Sequence, residues 1–348
     1  TDDGTTSTGA SSSDGTGSST SSGSTTASES TGGSSSGTEG DPEEPCPPYA
    51  AGPGESGSCQ YFEDGVLIAL IPWVAYYDEQ SEYWDAIVEG TEIGYYASGA
   101  TWVEFPRTAL QNTNGTWSSV LDGTAVWYYE AGPVEREQAY SPAQAADGSW
   151  QGPRDGAEFE YDPDGSYRHR LWGPLQNPDG FWTSVIEGVS TNYYPDGSVH
   201  FQEPYETYQE GSGAWTSVVD GVLVQYFASG ATEWEEPRVA RQHLVDGTWG
   251  SYQHGTTTGY YESGTVAGTN PWVAMALPDG SWGSFTDGTY YTYYESGAAS
   301  EACPWAPYDD GSGYLVSHPN GTCYMYNQDG SVSHCTVHNG DGTSAPCP

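Results

Sequence analysis

A glycine that returns about every 33 residues constrains this chain more than any other feature. Successive copies are separated by 32 to 34 residues. A fixed spacing of this kind is the mark of a repeat architecture, in which each copy packs mainly on its neighbours. The glycines of this column are Gly90, Gly123, Gly156, Gly188, Gly221, Gly255, Gly288 and Gly321.

The residues around each of these glycines predict a β-hairpin. The pair Asp287-Gly288 separates a strand that begins at Trp282 from one that ends at Tyr293. Asp-Gly between aromatic and β-branched runs favours a two-residue turn, because both residues tolerate positive φ. With this pair at the centre of the turn, Trp282 lies opposite Tyr293, and we expect such a pair to face the core in seven copies. The small residue two positions after each Trp, such as Ser284, is expected to leave room for a neighbouring indole.

Each repeat is also predicted to hold a third strand after a second glycine turn, such as the one at Gly297. In six copies a proline follows this turn by seven residues, as Pro304 does. Because proline cannot donate to a ladder, we expect it to end the strand or to confine the strand to an edge of the sheet. The sequence therefore predicts an all-β protein of about eight 33-residue β-hairpin repeats in an open elongated array. An eight-bladed β-propeller is the alternative, although familiar propeller repeats run to about 40 residues or more.

Composition divides the chain into three predicted parts. Residues 1–45 are almost all Ser, Thr, Gly, Asp and Glu, which predicts a disordered acidic stalk. Residues 46–335 form the predicted β-repeat domain, whose N-terminal edge is capped by a disulfide. Residues 336–348 form a cysteine-containing C-terminal cap. No hydrophobic stretch predicts a transmembrane segment, and a stalk of this kind is consistent with a lipid-anchored tether.

Six cysteines lie at the two ends of the repeat array, and none lies between Cys59 and Cys303. An even count in a chain with an extracellular-looking stalk predicts disulfides. Terminal repeats need capping because they lack a neighbour on one side. Among the connectivities that six cysteines allow, closeness in sequence favours three pairs: Cys46 with Cys59, Cys303 with Cys323, and Cys335 with Cys347.

The charge of the chain limits its partners. It carries 48 acidic residues against seven Arg and no Lys, a formal net charge of −41 at pH 7. Nucleic acid and anionic membrane surfaces are therefore poor partners, and an extracellular glycan or protein ligand remains. No cofactor is predicted. Weak Ca²⁺ binding stays open at the acidic turns 162–165 and 309–311, although neither completes an EF-hand ligand series.

Two consecutive aromatic columns mark the strand after the repeated glycine. The first column contains Tyr293 and its equivalents, which are expected to face the Trp residues. The second column is interrupted at Asp162 and Asn327. Because adjacent strand residues point to opposite faces, the second column either packs under connecting loops or offers ring faces to sugars or to a partner's apolar side chains. Its members are the predicted binding residues: Tyr96, Tyr129, Tyr194, Phe227, Tyr261 and Tyr294.

The run Asp279-Gly280-Ser281-Trp282, followed by Tyr-Tyr-Glu-Ser-Gly at 293–297, resembles the MORN-variant repeat of YwqK-type bacterial proteins. That resemblance covers roughly residues 60–335 and implies strings of β-hairpins with binding and scaffolding roles. This chain departs from the family in its longer period, its extra proline and its lack of basic residues. The stalk and cysteines resemble those of bacterial surface lipoproteins.

Catalytic motifs are missing from the sequence: we find no Gly-x-Ser-x-Gly elbow, phosphate loop or dinucleotide fingerprint. Paired carboxylates are expected by chance in so acidic a chain. We therefore expect a secreted or surface-tethered binding or scaffold protein without catalysis, located outside the cell or on a bacterial cell surface. The alternative is a carbohydrate-active enzyme built on a β-propeller.

Overall fold

The computed structural model describes residues 51–309, 315–339 and 343–348, and in these residues the fold is entirely β, with no helix. The strands are β1 (Ser56–Glu63), β2 (Val66–Asp78), β3 (Tyr83–Val88), β4 (Gly90–Tyr95), β5 (Thr101–Gln111), β6 (Trp117–Leu121), β7 (Gly123–Tyr128), β8 (Val134–Tyr140), β9 (Ala143–Gln144), β10 (Trp150–Gln151), β11 (Arg154–Tyr161), β12 (Tyr167–Gln176), β13 (Trp182–Tyr193), β14 (Val199–Gln209), β15 (Trp215–Val219), β16 (Gly221–Tyr226), β17 (Thr232–Gln242), β18 (Trp249–Gln253), β19 (Gly255–Tyr260), β20 (Val266–Ala276), β21 (Trp282–Thr286), β22 (Gly288–Tyr293), β23 (Ala299–Asp309), β24 (Leu315–Pro319), β25 (Gly321–Tyr326), β26 (Val332–His338) and β27 (Ser344–Pro346).

One repeat consists of two long antiparallel strands. The forward strand runs from the Trp to the first-column Tyr, and β13 is an unbroken example of 12 residues. The return strand follows after a tight turn, as β14 does with 11 residues. A second tight turn leads into the next forward strand. Two strands and two five-residue turns account for the 33-residue period.

The chain does not reverse at Asp287-Gly288, so the predicted hairpin turn and the predicted Trp282–Tyr293 pair are wrong. Strands β21 and β22 run in the same direction along one edge of β20: Trp272 pairs with Thr286, and Gly268 pairs with Thr292. They are two halves of one forward strand, separated by a β-bulge. Asp-Gly suits both structures, because a bulge and a two-residue turn each require a residue at positive φ.

Proline lies opposite this bulge inside the return strand and does not end it, contrary to the prediction. The N–H of Asp287 donates to the carbonyl of Pro271 at 3.1 Å. Gly288 has φ of 126°, and a Cβ built on it would lie 3.0 Å from Cγ of Pro271. A bulge is one of the few places in a sheet that tolerate proline, since the regular ladder is interrupted there. The Gly–Pro contact therefore fixes the bulge in register.

True reversals occur at the two tight turns. At the first, Gly297 donates its N–H to Tyr294 and Tyr294 donates to Ala298. At the second, which the sequence presents only as a connection, the carboxylate of Asp279 accepts hydrogen bonds from the N–H and Oγ of Ser281 at 3.0 and 2.6 Å. An aspartate that caps its own turn is favoured because it satisfies donors that the ladder leaves free.

The forward and return strands form one continuous antiparallel sheet. The short β9–β10 pair stands outside this sheet. Every other described strand pairs with strands at most three places away along the chain, and no ladder joins the first strands to the last within the described ranges. The predicted open elongated array of β-hairpin repeats is confirmed. The closed propeller is wrong, because the strands are not divided into separate blades.

Outer hairpins stack on one another along the array. Each outer hairpin joins the end of a return strand to the first half of the next forward strand, as β17 does with β18. The ring of Trp249 stacks on Tyr208 of the preceding outer hairpin, with centroids 4.2 Å apart, and its indole N–H donates to the carbonyl of Gln209 at 2.9 Å. The Trp column thus joins consecutive copies, whereas the sequence predicts pairing within one copy.

The small residue two positions after the Trp completes this stacking. The Oγ of Ser284 accepts the N–H of Gln253 at 2.8 Å, and the Oγ of Ser217 accepts the N–H of Ile186 at 2.6 Å. Both donors belong to the preceding forward strand. The serine hydroxyl therefore bonds to backbone groups of the preceding copy, and it does not serve as space for an indole.

Disulfides join Cys303 to Cys323 and Cys335 to Cys347, the same pairs that closeness in sequence favours. Cys46 of the predicted Cys46–Cys59 bridge lies outside the described residues. The predicted stalk at 1–45 and residues 310–311 of the second acidic turn lie outside them as well. Among the described residues, no helix is long and apolar enough to cross a membrane.

Candidate functional site

The six residues of the second aromatic column each lie at the first position of the tight turn between a forward strand and its return strand. All six side chains are half-buried. Five of them are tyrosines whose hydroxyls donate to the backbone of the following copy. The hydroxyl of Tyr261 reaches the carbonyl of Tyr293 at 2.7 Å, and that of Tyr129 reaches the carbonyl of Tyr161 at 2.7 Å. This ladder gives the column a structural role; its binding role stays a prediction. The donors are Tyr96, Tyr129, Tyr194, Tyr261 and Tyr294.

The ladder is broken at Asp162, which stands between Tyr129 and Tyr194 in the column. Asp162 presents a short carboxylate where the other copies place a phenol ring, and it accepts a hydrogen bond from Ser166 Oγ at 3.1 Å. A cleft of about 310 Å³ opens there, a volume at the lower end of ordinary ligand pockets. A column position that departs from the repeat, Asp162, therefore lines a cleft.

This larger cleft is lined by charged, amide and aromatic side chains. Its wall contains Arg168, whose Nε donates to the Oδ1 of Asn192 at 2.9 Å and whose Nη1 lies 3.4 Å from Glu160. His200 also lines the cleft and packs on Tyr194, with ring centroids 4.4 Å apart. The complete lining is Glu160, Asp162, Ser166, Tyr167, Arg168, Asn192, Tyr193 and His200.

A smaller cleft of about 180 Å³ shares Glu160 with the larger one. Two of its lining side chains are indole rings, those of Trp102 and Trp127. The Arg136 guanidinium lies 3.7 Å from the ring centroid of Trp127. Trp102 at its rim is 46% exposed, which is high for so large an apolar ring. The complete lining is Trp102, Trp127, Glu135, Arg136 and Glu160. We call the two clefts together the central groove.

Strand register explains why these residues meet. Trp127 pairs with Arg136, Arg136 with Glu160, and Glu160 with Arg168, each directly across a ladder. Arg168 in turn pairs with Asn192. Directly opposed residues share a face of the sheet, so the row presents alternating charges along one face. The sequence does not show this row, because its members come from five different strands.

The surrounding copy is irregular and has a polar interior. Its outer hairpin is reduced to the two-residue strands β9 and β10. Glu158 is only 3% exposed, and its Oε2 accepts from Arg170 Nη1 and from Trp172 Nε1, both at 2.9 Å. Gln138, which pairs with Glu158, is 1% exposed. The groove therefore rests on a hydrogen-bonded base, which favours a fixed geometry.

Three carboxylates, those of Glu135, Glu160 and Asp162, lie in or beside the groove. Burial raises the pKa of the Tyr129 hydroxyl, and the carboxylates of Glu135, Asp162 and Glu160 raise it further. By contrast, hydrogen bonds from the side chain and backbone of Ser166 lower the pKa of Asp164. The Asp164 carboxylate therefore acts as a turn cap, and the predicted weak Ca²⁺ site at this turn stays a prediction.

The groove has the composition of a recognition site. Carboxylates and amides accept and donate hydrogen bonds to hydroxyl groups, while exposed indole and phenol rings offer apolar faces for stacking. Two of the predicted binding residues, Tyr129 and Tyr194, lie beside it. The other four, Tyr96, Phe227, Tyr261 and Tyr294, line neither cleft. Sequence reasoning missed Trp102, Arg136 and Asn192; the interruption at Asp162 was the signal that pointed to this part of the chain.

A family model described as the MORN repeat variant matches residues 186–207. This stretch covers the second half of forward strand β13, the tight turn and the first part of return strand β14. The resemblance of this chain to MORN-variant repeats is therefore confirmed. The matched segment includes three residues of the wall of the central groove, Asn192, Tyr193 and His200.

Distant similarities to solved structures include the following two. A porin-like protein from Bacteroides uniformis is 11% identical, with a TM-score of 0.18, over 72% of this chain and 89% of that one. A protein of unknown function from Bacteroides fragilis is 12% identical, with a TM-score of 0.14, over 47% of this chain and 88% of that one. Superpositions this poor support no argument about function. No curated protein matches the chain.

Proposed function

We propose that this chain is a non-catalytic binding protein, secreted or tethered to a cell surface, whose central groove takes an extracellular glycan. The observation that carries the proposal is the groove itself: most copies place an aromatic ring at the turn between the forward and return strands, and at Asp162, one of the two positions where this column is interrupted, there is a cleft of about 310 Å³. A regular scaffold with one built irregularity is what a binding site on a repeat protein requires.

The side chains of the groove support a sugar ligand in particular. Sugars present hydroxyls for carboxylate and amide groups and C–H faces for aromatic rings. Glu160, Asp162 and Asn192 supply the polar groups, and Trp102 supplies an exposed ring. The net charge of −41 disfavours nucleic acid as a partner. Disulfides support a location outside the cytoplasm, and a lipid-anchored stalk is the tether that we propose.

A glycan array probed with the labelled full chain tests this function. We expect retention of at least one saccharide class, reduced by up to about 10-fold by Trp102→Ala, since loss of ring stacking costs about 0.5–1.5 kcal/mol. Tyr83→Ala is the matched control, because Tyr83 is also 46% exposed and lies outside both clefts. Retention of no saccharide, or equal losses in the two variants, would contradict the proposal.

A further inference from the structure

Arg136 is an unusual cation in this protein. The chain has seven basic residues and 48 acidic ones, and four of its arginines, Arg107, Arg168, Arg170 and Arg238, form ion pairs with Glu. Arg136, Arg154 and Arg241 form none with any described carboxylate, and of these three only Arg136 lines one of the two clefts. The Nε of Arg136 is buried and has no hydrogen-bond partner within the described part of the chain. An arginine without an acceptor is costly to maintain, because a buried donor loses its bonds to water.

Arg136 lines the smaller cleft. Its guanidinium carbon lies 3.7 Å from the centroid of the Trp127 ring. A planar guanidinium matches a carboxylate in shape and can bond it through two parallel hydrogen bonds. The cleft holds both Arg136 and the exposed ring of Trp102.

The nearby carboxylates do not cancel this cation. Glu160 lies opposite Arg136 in the ladder, but its carboxylate is held by Arg168 at 3.4 Å and by Arg170 at 3.5 Å. Glu135 lines the same cleft without forming an ion pair to Arg136. The remaining negative charge of the protein is spread over the chain, and beyond about 8 Å salt screens it at physiological ionic strength.

We infer that the glycan bound by the central groove carries a carboxylate, as a uronic acid sugar does, and that Arg136 pairs with that group while Trp102 stacks on the sugar ring. This inference rests on the proposed function and names the ligand class. It accounts for a guanidinium that lines a cleft without an ion pair to any described carboxylate, because a ligand carboxylate would supply its counter-ion.

The test compares trigalacturonate with its carboxyl-reduced form, trigalactose, by calorimetry on the full chain. We expect trigalacturonate to bind at least 10-fold more tightly than the reduced form, and Arg136→Gln to remove that difference. Arg241→Gln is the matched control, since Arg241 also lies over a Trp ring, at 5.5 Å from the centroid of Trp282, but lines neither cleft. Circular dichroism melts establish that both variants fold.

The outcomes separate the two claims. Equal binding of the acidic and the reduced trisaccharide, or a carboxylate preference that survives Arg136→Gln in a folded protein, would overturn the inference and leave the proposed function standing. A carboxylate preference lost equally in Arg136→Gln and Arg241→Gln would also overturn it, because a general charge effect would then explain the result. If neither trisaccharide binds and the array retains no saccharide, both claims fail.

Discussion

The copy around Leu223 and the copy around Glu158 occupy equivalent places in the repeat, two residues after the bulge glycine, and both side chains are buried, at 5% and 3% exposure. Leu223 fills this position with an apolar side chain in a regular forward strand. Glu158 fills the equivalent position with a carboxylate that accepts hydrogen bonds from Arg170 and Trp172. The regular copy buries apolar surface, which stabilises it without directional bonds. The irregular copy depends on directional hydrogen bonds to a buried carboxylate, and it is the copy that carries the central groove.

Arg170→Met is expected to produce the largest loss of stability, because it leaves the buried Glu158 carboxylate without its cation. Removing one partner of a buried ion pair costs roughly 3–5 kcal/mol; the Arg170 side chain is 20% exposed, so we expect about 3 kcal/mol. Glu158→Leu, which copies the regular site, should cost less, since an apolar replacement needs no partner. Urea unfolding measures both. If Glu158→Leu lowered the free energy of unfolding more than Arg170→Met does, the contrast between the apolar and the hydrogen-bonded copy would be contradicted.

A smaller difference is expected between tryptophans of the two regions. Trp249 stacks on Tyr208 at 4.2 Å and donates to Gln209, so Trp249→Ala should cost about 3 kcal/mol. Trp150 in the irregular copy donates to Gln111 at 2.9 Å but begins a strand of only two residues, and its loss should cost roughly half as much. Thermal melts of the two alanine variants compare them, and equal shifts in Tm would show that the irregular copy stacks as firmly as the others.

How much of this molecule follows from its sequence depends on whether the contacts are local. The period, the all-β class and the turn at Gly297 are predictable, because glycine spacing and turn chemistry act within a few residues. The direction of the chain at Asp287-Gly288 is not predictable, since a turn and a bulge use the same residues. The contact between Gly288 and Pro271 distinguishes the bulge from the turn.

The partners of the Trp column and the residues of the groove are not predictable from the sequence, because they depend on strand pairing between residues that are far apart in the chain. The partner of each Trp lies about 40 residues earlier in the chain, as Gln209 does for Trp249. The groove likewise collects Trp127, Arg136 and Glu160 from β7, β8 and β11, which are neighbours in the sheet. In the sequence, the interruption of the column at Asp162 was the visible departure from the pattern near the groove. A broken repeat therefore locates a candidate site, while the residues that build it require the register.

The smallest expected effect concerns the tight turns, which both regions share. Hydrogen bonds from the side chain and backbone of Ser281 lower the pKa of Asp279 below its ordinary 3.8. A carboxylate whose pKa is lowered by folding stabilises the folded state above its unfolded pKa, and that contribution is lost as the pH falls through the folded value. The Tm difference between the native chain and Asp279→Ala should therefore be present at pH 7 and shrink below about pH 4. A difference that is unchanged at pH 2 would show that the cap does not depend on charge.

The central claim is that recognition resides where the repeat is broken, and Asp162→Tyr tests it most directly. A tyrosine at this position restores the column, fills the larger cleft and can donate to the carbonyl of Tyr193, as Tyr129 does to Tyr161. The account predicts that Asp162→Tyr keeps or raises the Tm and abolishes saccharide retention on the array. Full retention by a folded Asp162→Tyr protein would contradict the account.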